Sequence, residues 1–141
     1  MPYRAIPAGK LRRYLSVKNV TDLFLVAGGF FAARAILKGE GPALLFSKGG
    51  FVSVPPVAAA RSLGIPVISH ESDLDPGLAT RINARSSQRV LTAYPETAAA
   101  IGEGALATGN PVRRGILDGK SQRARAHLTV DLNRPLLLVV G

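Results

Sequence analysis

Residues 43–71 read ALLFSKGGFVSVPPVAAARSLGIPVISHE, and this stretch decides the fold. Residues 43–46 form a short apolar run between Gly-Pro and Gly-Gly, which predicts a buried strand. Pro55-Pro56 then opens a helix that runs to Leu63, since proline is tolerated in a first helical turn, and Val67-Ile68 forms the next short strand. The stretch is therefore one strand–helix–strand unit, the connection that parallel strands require.

The same alternation continues on both sides of this unit. Further helices are predicted at 19–38, 78–86, 96–101 and around 122–128, and further strands at 90–92, 105–107 and 136–140. Alternating strands and helices with short turns predict an α/β fold, a Rossmann-like parallel sheet with helices on both faces.

The composition excludes several classes of protein. The 141 residues carry a formal net charge of +9 and 47% hydrophobic residues, so the chain can bury a core despite its charge. With no cysteine, disulfide frameworks, thiolate zinc sites and cysteine nucleophiles are excluded. Carboxylates and two histidines, His70 and His127, remain as possible metal ligands, but we expect no metal site. No apolar run approaches the roughly 18 residues of a spanning helix. The positive charge favours anionic partners: phosphate ligands, nucleic acid or acidic lipid.

Paired glycines follow the first predicted strand, in the turn Ser47-Lys48-Gly49-Gly50-Phe51-Val52-Ser53. Ligands bind at the carboxyl ends of parallel strands, so this turn is a candidate site. Gly49 and Gly50 would let the backbone approach a ligand, the next helix N-terminus offers N–H groups to an anion, and Lys48 could add charge. A tight turn without a ligand is equally compatible with the sequence, because the spacing matches no Walker or dinucleotide fingerprint.

One imidazole and three carboxylates lie at the end of the second predicted strand, within Ser69-His70-Glu71-Ser72-Asp73-Leu74-Asp75. His70 and Glu71 could act as general acid or base, or hold the hydroxyl groups of a sugar. Asp73 and Asp75 resemble an aspartate pair that binds a metal–nucleotide complex in some transferases, but Asp75 also suits the N-cap of a helix beginning at Pro76. His70 is the stronger functional candidate.

The turn after the fourth predicted strand is Thr108-Gly109-Asn110-Pro111-Val112-Arg113. Asn-Pro changes the chain direction, and the Arg113 guanidinium beyond it could bind a phosphate through two N–H groups. A solvated domain linker is an equally good interpretation.

Aromatic and basic side chains lie close together in the first third of the chain. The residues are Phe24, Phe30 and Phe31 in the predicted helix, and Lys10, Arg12 and Arg13 before it. Such a combination could enter a membrane interface with its cations on the headgroups, although the phenylalanines are also typical of core packing.

Four motifs occur in a particular order: Gly9-Lys10-Leu11-Arg12-Arg13-Tyr14, the Gly-Gly turn at 47–55, His70-Glu71-Ser72-Asp73 and Gly109-Asn110-Pro111-Val112-Arg113. In order and spacing they resemble the MurG family of N-acetylglucosaminyltransferases, from about residue 8 to the last residue. The resemblance implies a two-domain glycosyltransferase of the GT-B type. Its N-terminal domain handles a lipid-linked acceptor, and its C-terminal domain holds most of UDP-N-acetylglucosamine (UDP-GlcNAc).

The resemblance also implies a reaction and a set of residues. N-acetylglucosamine would pass from UDP-GlcNAc to lipid I, an undecaprenyl diphosphate-linked acceptor, to form lipid II for peptidoglycan, with inversion and without a cofactor. We expect a peripheral protein on the anionic cytoplasmic face of the bacterial cell membrane, with no nucleic-acid partner; the six aromatic and basic residues named above would face the lipid. The expected substrate-binding residues are Gly49, Gly50, Phe51, Ser53, His70, Glu71, Asp73, Asn110 and Arg113, the last at the diphosphate.

The sequence departs from the family pattern in several places. The family's Gly-Gly-Thr-Gly-Gly-His turn, where the base is usually proposed, is absent, so the catalytic residue stays unassigned. We therefore expect an inactive fragment: residues 1–110 an incomplete acceptor domain, 111–134 the interdomain connection and 135–141 the first strand of a truncated donor domain. Phe51 stands where some members have tyrosine, and Ser72-Asp73 where some have Gln-Asn.

A rival hypothesis is a small basic Rossmann-like module that binds phosphates or nucleic acid without catalysis. Its contacts would be Arg81, Arg85, Arg113 and Arg114. Nucleic acid is the less favoured ligand, because the basic residues are not interleaved with the aromatic side chains that single-strand binders usually present.

Overall fold

The computed structural model describes residues 3–7, 18–120 and 127 of the chain. Lys10, Arg12 and Arg13, the strand predicted at 136–140 and most of the helix predicted at 122–128 lie outside the described residues. The chain divides into two compact units, Met1–Asn110 and Pro111–Gly141. The division between an acceptor domain, a connection and a donor strand stays a prediction.

The first unit alternates helices and strands, as predicted. Its elements are α1 (Lys18–Glu40), β1 (Leu45–Ser47), a short 3-10 helix (Phe51–Ser53), α2 (Val54–Ser62), β2 (Val67–Glu71), α3 (Leu78–Ala84), β3 (Arg89–Thr92), α4 (Pro95–Ile101) and β4 (Ala105–Ala107). The described part of the second unit contains α5 (Arg114–Leu117). Several boundaries differ from expectation. The first is that α1 continues past Gly39, and Gly41, with a φ of 54°, follows the end of the helix instead.

The four strands form one parallel sheet in the order β1-β2-β3-β4. Each strand therefore neighbours the next one along the chain, and right-handed crossovers in one direction place α2, α3 and α4 on the same face. The α/β parallel sheet predicted from the sequence is confirmed.

Burial along the strands agrees with this arrangement. Val67 and Val90 are buried on the helix-covered face of β2 and β3. Phe46 and Leu106 point to the opposite face, where they are 51% and 57% exposed. Because side chains alternate along a strand, neighbouring residues of β2 reach opposite faces of the sheet.

The core lies where α1, α2 and the β1 side of the sheet meet. The buried cluster consists of Ala33, Leu37, Val57, Ala59, Ala60 and Val67. Gly29 allows the N-terminal segment to pack on α1, since a Cβ there would lie 2.4 Å from the carbonyl oxygen of Pro7. The Gly28-Gly29 pair lies within α1, which is continuous from Lys18 to Glu40. Of the helices in the described ranges, none is both long and apolar enough to cross a membrane.

Candidate functional site at the carboxyl edge of the sheet

The turns after β1, β2 and β4 meet at the carboxyl edge of the sheet. Lys48 follows β1, His70 lies near the end of β2, and Gly109 follows β4; hydrogen bonds connect all three. Parallel strands end at the same edge, so side chains distant in sequence converge there. The structure therefore brings together parts of three motifs that the sequence analysis selected.

His70 is buried, and its ring connects the turns after β1 and β4. Its Nδ1 lies 2.8 Å from the Lys48 ammonium, and its Nε2 lies 3.0 Å from the Gly109 carbonyl oxygen. An ammonium can only donate and a carbonyl can only accept, so Nδ1 accepts from Lys48 and Nε2–H donates to Gly109. Both hydrogen bonds require the same neutral tautomer, with the proton on Nε2. Because both ring nitrogens are engaged, neither is free to take a proton from a substrate.

Glu71 holds the turn that follows it. Its Oε1 accepts hydrogen bonds from the backbone N–H groups of Ser72 (2.8 Å) and Asp73 (3.0 Å). Its Oε2 accepts from the N–H of Gly77 (3.3 Å) and from the hydroxyl of Thr80 on α3. Burial raises the pKa of Glu71, but these four donors outweigh it and hold the pKa below its usual value. The carboxylate is thus a charged anchor for residues 72–77.

His70 and Glu71 do not form an acid–base pair. Both belong to β2, so their side chains project to opposite faces of the sheet. Glu71 reaches α3 on the helix-covered face, whereas His70 reaches Lys48 and Gly109. These contacts favour a role for both residues in ordering the site over a role as general acid or base.

The Gly-Gly turn adopts backbone angles that only glycine tolerates well. Gly49 and Gly50 have φ angles of 85° and 77°. The Ser53 hydroxyl closes the turn by donating to the Gly50 carbonyl at 2.6 Å and accepting from the Asn83 side-chain amide at 2.7 Å. Ser53, predicted to bind substrate, therefore has a structural role in the turn, while Phe51 is half-buried in the 3-10 helix. Gly50 remains exposed.

The two aspartates of the turn after β2 are exposed. The N-cap position of α3 is Gly77, without a side-chain cap hydrogen bond, so the prediction that Asp75 caps this helix is wrong. The carbonyl oxygens of Asp73 and Leu74 accept from the buried Thr97 hydroxyl, which attaches the turn to α4. Within the described ranges, no three side chains of the metal-binding types are grouped to hold a metal ion.

Sequence reasoning underestimated Lys48 and missed Thr80. The sequence indicates Lys48 only as an added charge, yet its ammonium contacts both His70 and the Ser72 hydroxyl, the latter at 2.5 Å. Lys48, Gly49 and Ser53 also line an open cleft of about 440 Å³ between the N-terminal segment, α1 and β1. The position of Lys48 directly after a predicted strand is the sequence feature that could indicate its role. Thr80 lies inside a helix, and no sequence feature indicates its contact with Glu71.

Most of the remaining candidate residues in the described ranges are exposed. Asn110 is the last residue of the first unit, and Arg113 is the N-cap residue of α5 in the second unit. On α1, Phe24 and Phe31 are 74% and 67% exposed, while Phe30 is half-buried against the core and meets Phe31 edge to face at 5.3 Å. Phe30 therefore packs inward, which differs from the membrane-facing role predicted for all three phenylalanines.

Comparison with known proteins identifies the family. Residues 1–92 match the family model described as "Glycosyltransferase family 28 N-terminal domain". A Treponema denticola protein is 49% identical over 145 aligned residues, covering 100% of this chain and 37% of that protein. A Shouchella clausii protein is 50% identical over 140 residues, covering 99% of this chain and 40% of that protein. Both are named UDP-N-acetylglucosamine--N-acetylmuramyl-(pentapeptide) pyrophosphoryl-undecaprenol N-acetylglucosamine transferase.

A solved structure agrees with the sequence relatives. The crystal structure of Acinetobacter baumannii MurG aligns with a TM-score of 0.58 and 26% identity, over 77% of this chain and 31% of that chain. The chain thus spans about two-fifths of the length of the curated relatives it matches. These matches confirm the resemblance to the MurG family that the four motifs indicated, and the fold as part of a GT-B structure. The chain belongs to glycosyltransferase family 28, and its residues 1–92 match that family's N-terminal domain.

Proposed function

We propose that this chain forms the acceptor side of a transferase that moves N-acetylglucosamine from UDP-GlcNAc to lipid I, giving lipid II for peptidoglycan. The observation that carries this proposal is the 49% identity that extends over the whole chain to the Treponema denticola transferase. Because the chain belongs to a glycosyltransferase family, we prefer this proposal to the rival hypothesis of a non-catalytic binding module.

The proposed substrate-binding surface is the carboxyl edge of the sheet. Gly49, Gly50, Asp73 and Asn110 present backbone or exposed side chains there and are proposed to contact the acceptor and the sugar. Glu71 is proposed to act indirectly, because both of its carboxylate oxygens are engaged by the turn it holds. His70 is likewise proposed as an ordering residue that keeps the three turns together.

The proposed reaction is an attack by the acceptor's sugar hydroxyl on the anomeric carbon of the donor, with UDP leaving and inversion at that carbon. Charge develops on the departing diphosphate, so stabilisation by N–H groups and by the Arg113 guanidinium would be the main electrostatic contribution. We assign no general base, because His70 and Glu71 have no nitrogen or oxygen free for that role.

Attachment to the anionic cytoplasmic surface of the bacterial membrane is part of this proposal. Phe24 and Phe31 are both exposed and lie seven residues apart, which places them on nearly the same side of α1. Arg34 and Lys38 are exposed on the same helix and could contact anionic headgroups. An acceptor on a polyprenyl diphosphate would be presented at that surface.

A chimera tests the proposed activity. The aligned segment of the Treponema denticola transferase would be replaced by this chain, and transfer of labelled N-acetylglucosamine from UDP-GlcNAc to lipid I would be measured. We expect lipid II from the chimera and none from this chain alone. A folded chimera, verified by circular dichroism, that forms no lipid II would contradict the proposal; transfer by this chain alone would contradict the expectation that it is an inactive fragment.

A further inference from the structure

Thr97 is a fully buried polar residue of α4, with 0% of its surface exposed. Burying a hydroxyl is unfavourable unless it is hydrogen-bonded, so its partners indicate why a polar residue occupies this position. The Thr97 hydroxyl donates to the carbonyl oxygens of Asp73 (3.1 Å) and Leu74 (2.6 Å), which lie 24 and 23 positions away in the chain. A hydroxyl carries one hydrogen, so the two carbonyls share it.

Thr97 and Glu71 hold the turn after β2 through different backbone groups. Glu71 accepts from the N–H groups of Ser72 and Asp73. Thr97 donates to the next two carbonyl groups, those of Asp73 and Leu74. Four successive peptide groups of the turn are therefore each hydrogen-bonded to one of two side chains.

Asp73 lies at the centre of these four peptide groups. A peptide group is planar, so a hydrogen bond to its N–H or C=O restrains the orientation of the whole plane. The peptide group before Asp73 is held through its N–H by Glu71, and the one after it is held through its C=O by Thr97. Both backbone dihedral angles of Asp73 are restrained as a result, and so is the direction of its Cα–Cβ bond. The residue itself is exposed, which leaves it accessible to a ligand.

We propose that Thr97 is a positioning residue which, together with Glu71, directs the Asp73 carboxylate at the sugar of the substrate. This inference rests on the proposed function, in which Asp73 contacts the sugar, and deepens it by naming the residue of α4 that holds this contact. A carboxylate only accepts hydrogen bonds, so its partner is a hydroxyl or an amide N–H of the sugar. Thr97 touches no substrate, because it is buried and acts through the two carbonyl groups of the turn.

Kinetics of the chimera described above, with UDP-GlcNAc and lipid I, provide the first test. Thr97→Val keeps the shape of the side chain and removes its hydroxyl, and we expect kcat/KM to fall about tenfold, since small displacements of a substrate contact are costly. Thr97→Ser retains the hydroxyl and should stay within about threefold of the unchanged chimera. Thr92→Val is the matched control, because Thr92 is also 0% exposed and donates to a backbone carbonyl, that of Tyr94 at 2.8 Å. Equal losses in Thr97→Val and Thr92→Val would overturn the proposal.

A double-mutant cycle with Asp73→Ala distinguishes positioning from a purely structural role. If Thr97 acts through the Asp73 carboxylate, Thr97→Val should lower kcat/KM about tenfold when the carboxylate is present and less than about twofold when it is absent. A structural role alone would give the same loss in both backgrounds. That additive result would overturn the proposal.

Amide hydrogen exchange in the 141-residue chain tests the same inference without any activity. The Asp73 N–H should exchange about tenfold faster in Thr97→Val, because the turn opens more often, and should be nearly unchanged in Thr92→Val. An unchanged rate in Thr97→Val would overturn the inference. Faster exchange in a chain whose chimera makes no lipid II would refute the proposed function alone. An active chimera whose exchange rate and kcat/KM do not depend on Thr97 would refute this inference alone.

Discussion

Replacing Glu71 by glutamine is expected to lower the free energy of unfolding by about 3 kcal/mol. Glutamine keeps one oxygen for the N–H groups of Ser72 and Asp73, but its amide nitrogen faces the Gly77 N–H, which loses its acceptor. Gly77 is an exposed residue whose hydrogen bond is part-buried, so the loss of this acceptor costs about 1 kcal/mol, and each retained hydrogen bond loses the roughly 1 kcal/mol that a charged acceptor adds. The Thr80 hydroxyl can rotate to accept from the new amide, which limits the loss.

The stability lost in Glu71→Gln should become smaller as the pH falls. Because the pKa of Glu71 is lowered in the folded protein, its contribution to stability is fully present above the unfolded pKa of about 4.3 and is lost as the pH falls through the lower folded pKa. The difference in stability between the unchanged chain and Glu71→Gln should therefore be greatest near neutral pH and should shrink below about pH 4.

Urea unfolding followed by circular dichroism, at pH 7 and at several values down to pH 3, measures both quantities. Glu103→Gln is the matched control, because Glu103 is exposed and its replacement should change stability by less than about 0.5 kcal/mol. The reasoning would be refuted if Glu71→Gln and Glu103→Gln were equally stable at pH 7, or if the loss in Glu71→Gln stayed constant down to pH 3.

Two further predictions concern α1. Gly29→Ala should destabilise the chain by about 1–3 kcal/mol, since its methyl group would lie 2.4 Å from the Pro7 carbonyl oxygen, whereas Gly28→Ala meets nothing within 4 Å and should stabilise the helix by up to about 1 kcal/mol. Thermal unfolding of the two variants checks this, and the same sign for both would contradict it. Replacing Phe24 and Phe31 together by serine should reduce binding to vesicles containing anionic lipid about tenfold or more, given about 1.5–3 kcal/mol per buried phenylalanine. Sedimentation with anionic and with neutral vesicles measures this loss, and unchanged binding to anionic vesicles would exclude this face of α1 as the contact.

The order of strands and helices could be predicted from the sequence because it depends on local patterns. Apolar runs between glycine and proline residues indicated the strands, and the proline pairs and glycines indicated where helices begin and end. The strand β2 shows the limit of this reasoning. It was predicted at Val67-Ile68 but continues to Glu71, because the polar side chains of its second half find hydrogen-bond partners that a local pattern cannot reveal.

Some features of the candidate site could likewise be predicted from the sequence, and others could not. The sequence by itself determined the family and the turns that carry polar and glycine residues, since these are properties of neighbouring residues. Only the tertiary structure decided that His70 and Glu71 face apart, that Thr80 and the turn amides hydrogen-bond the charged carboxylate of Glu71, and that Lys48 reaches His70 across 22 positions. The physical reason is that side-chain partners depend on which turns a parallel sheet brings to one edge, and that depends on strand order and register.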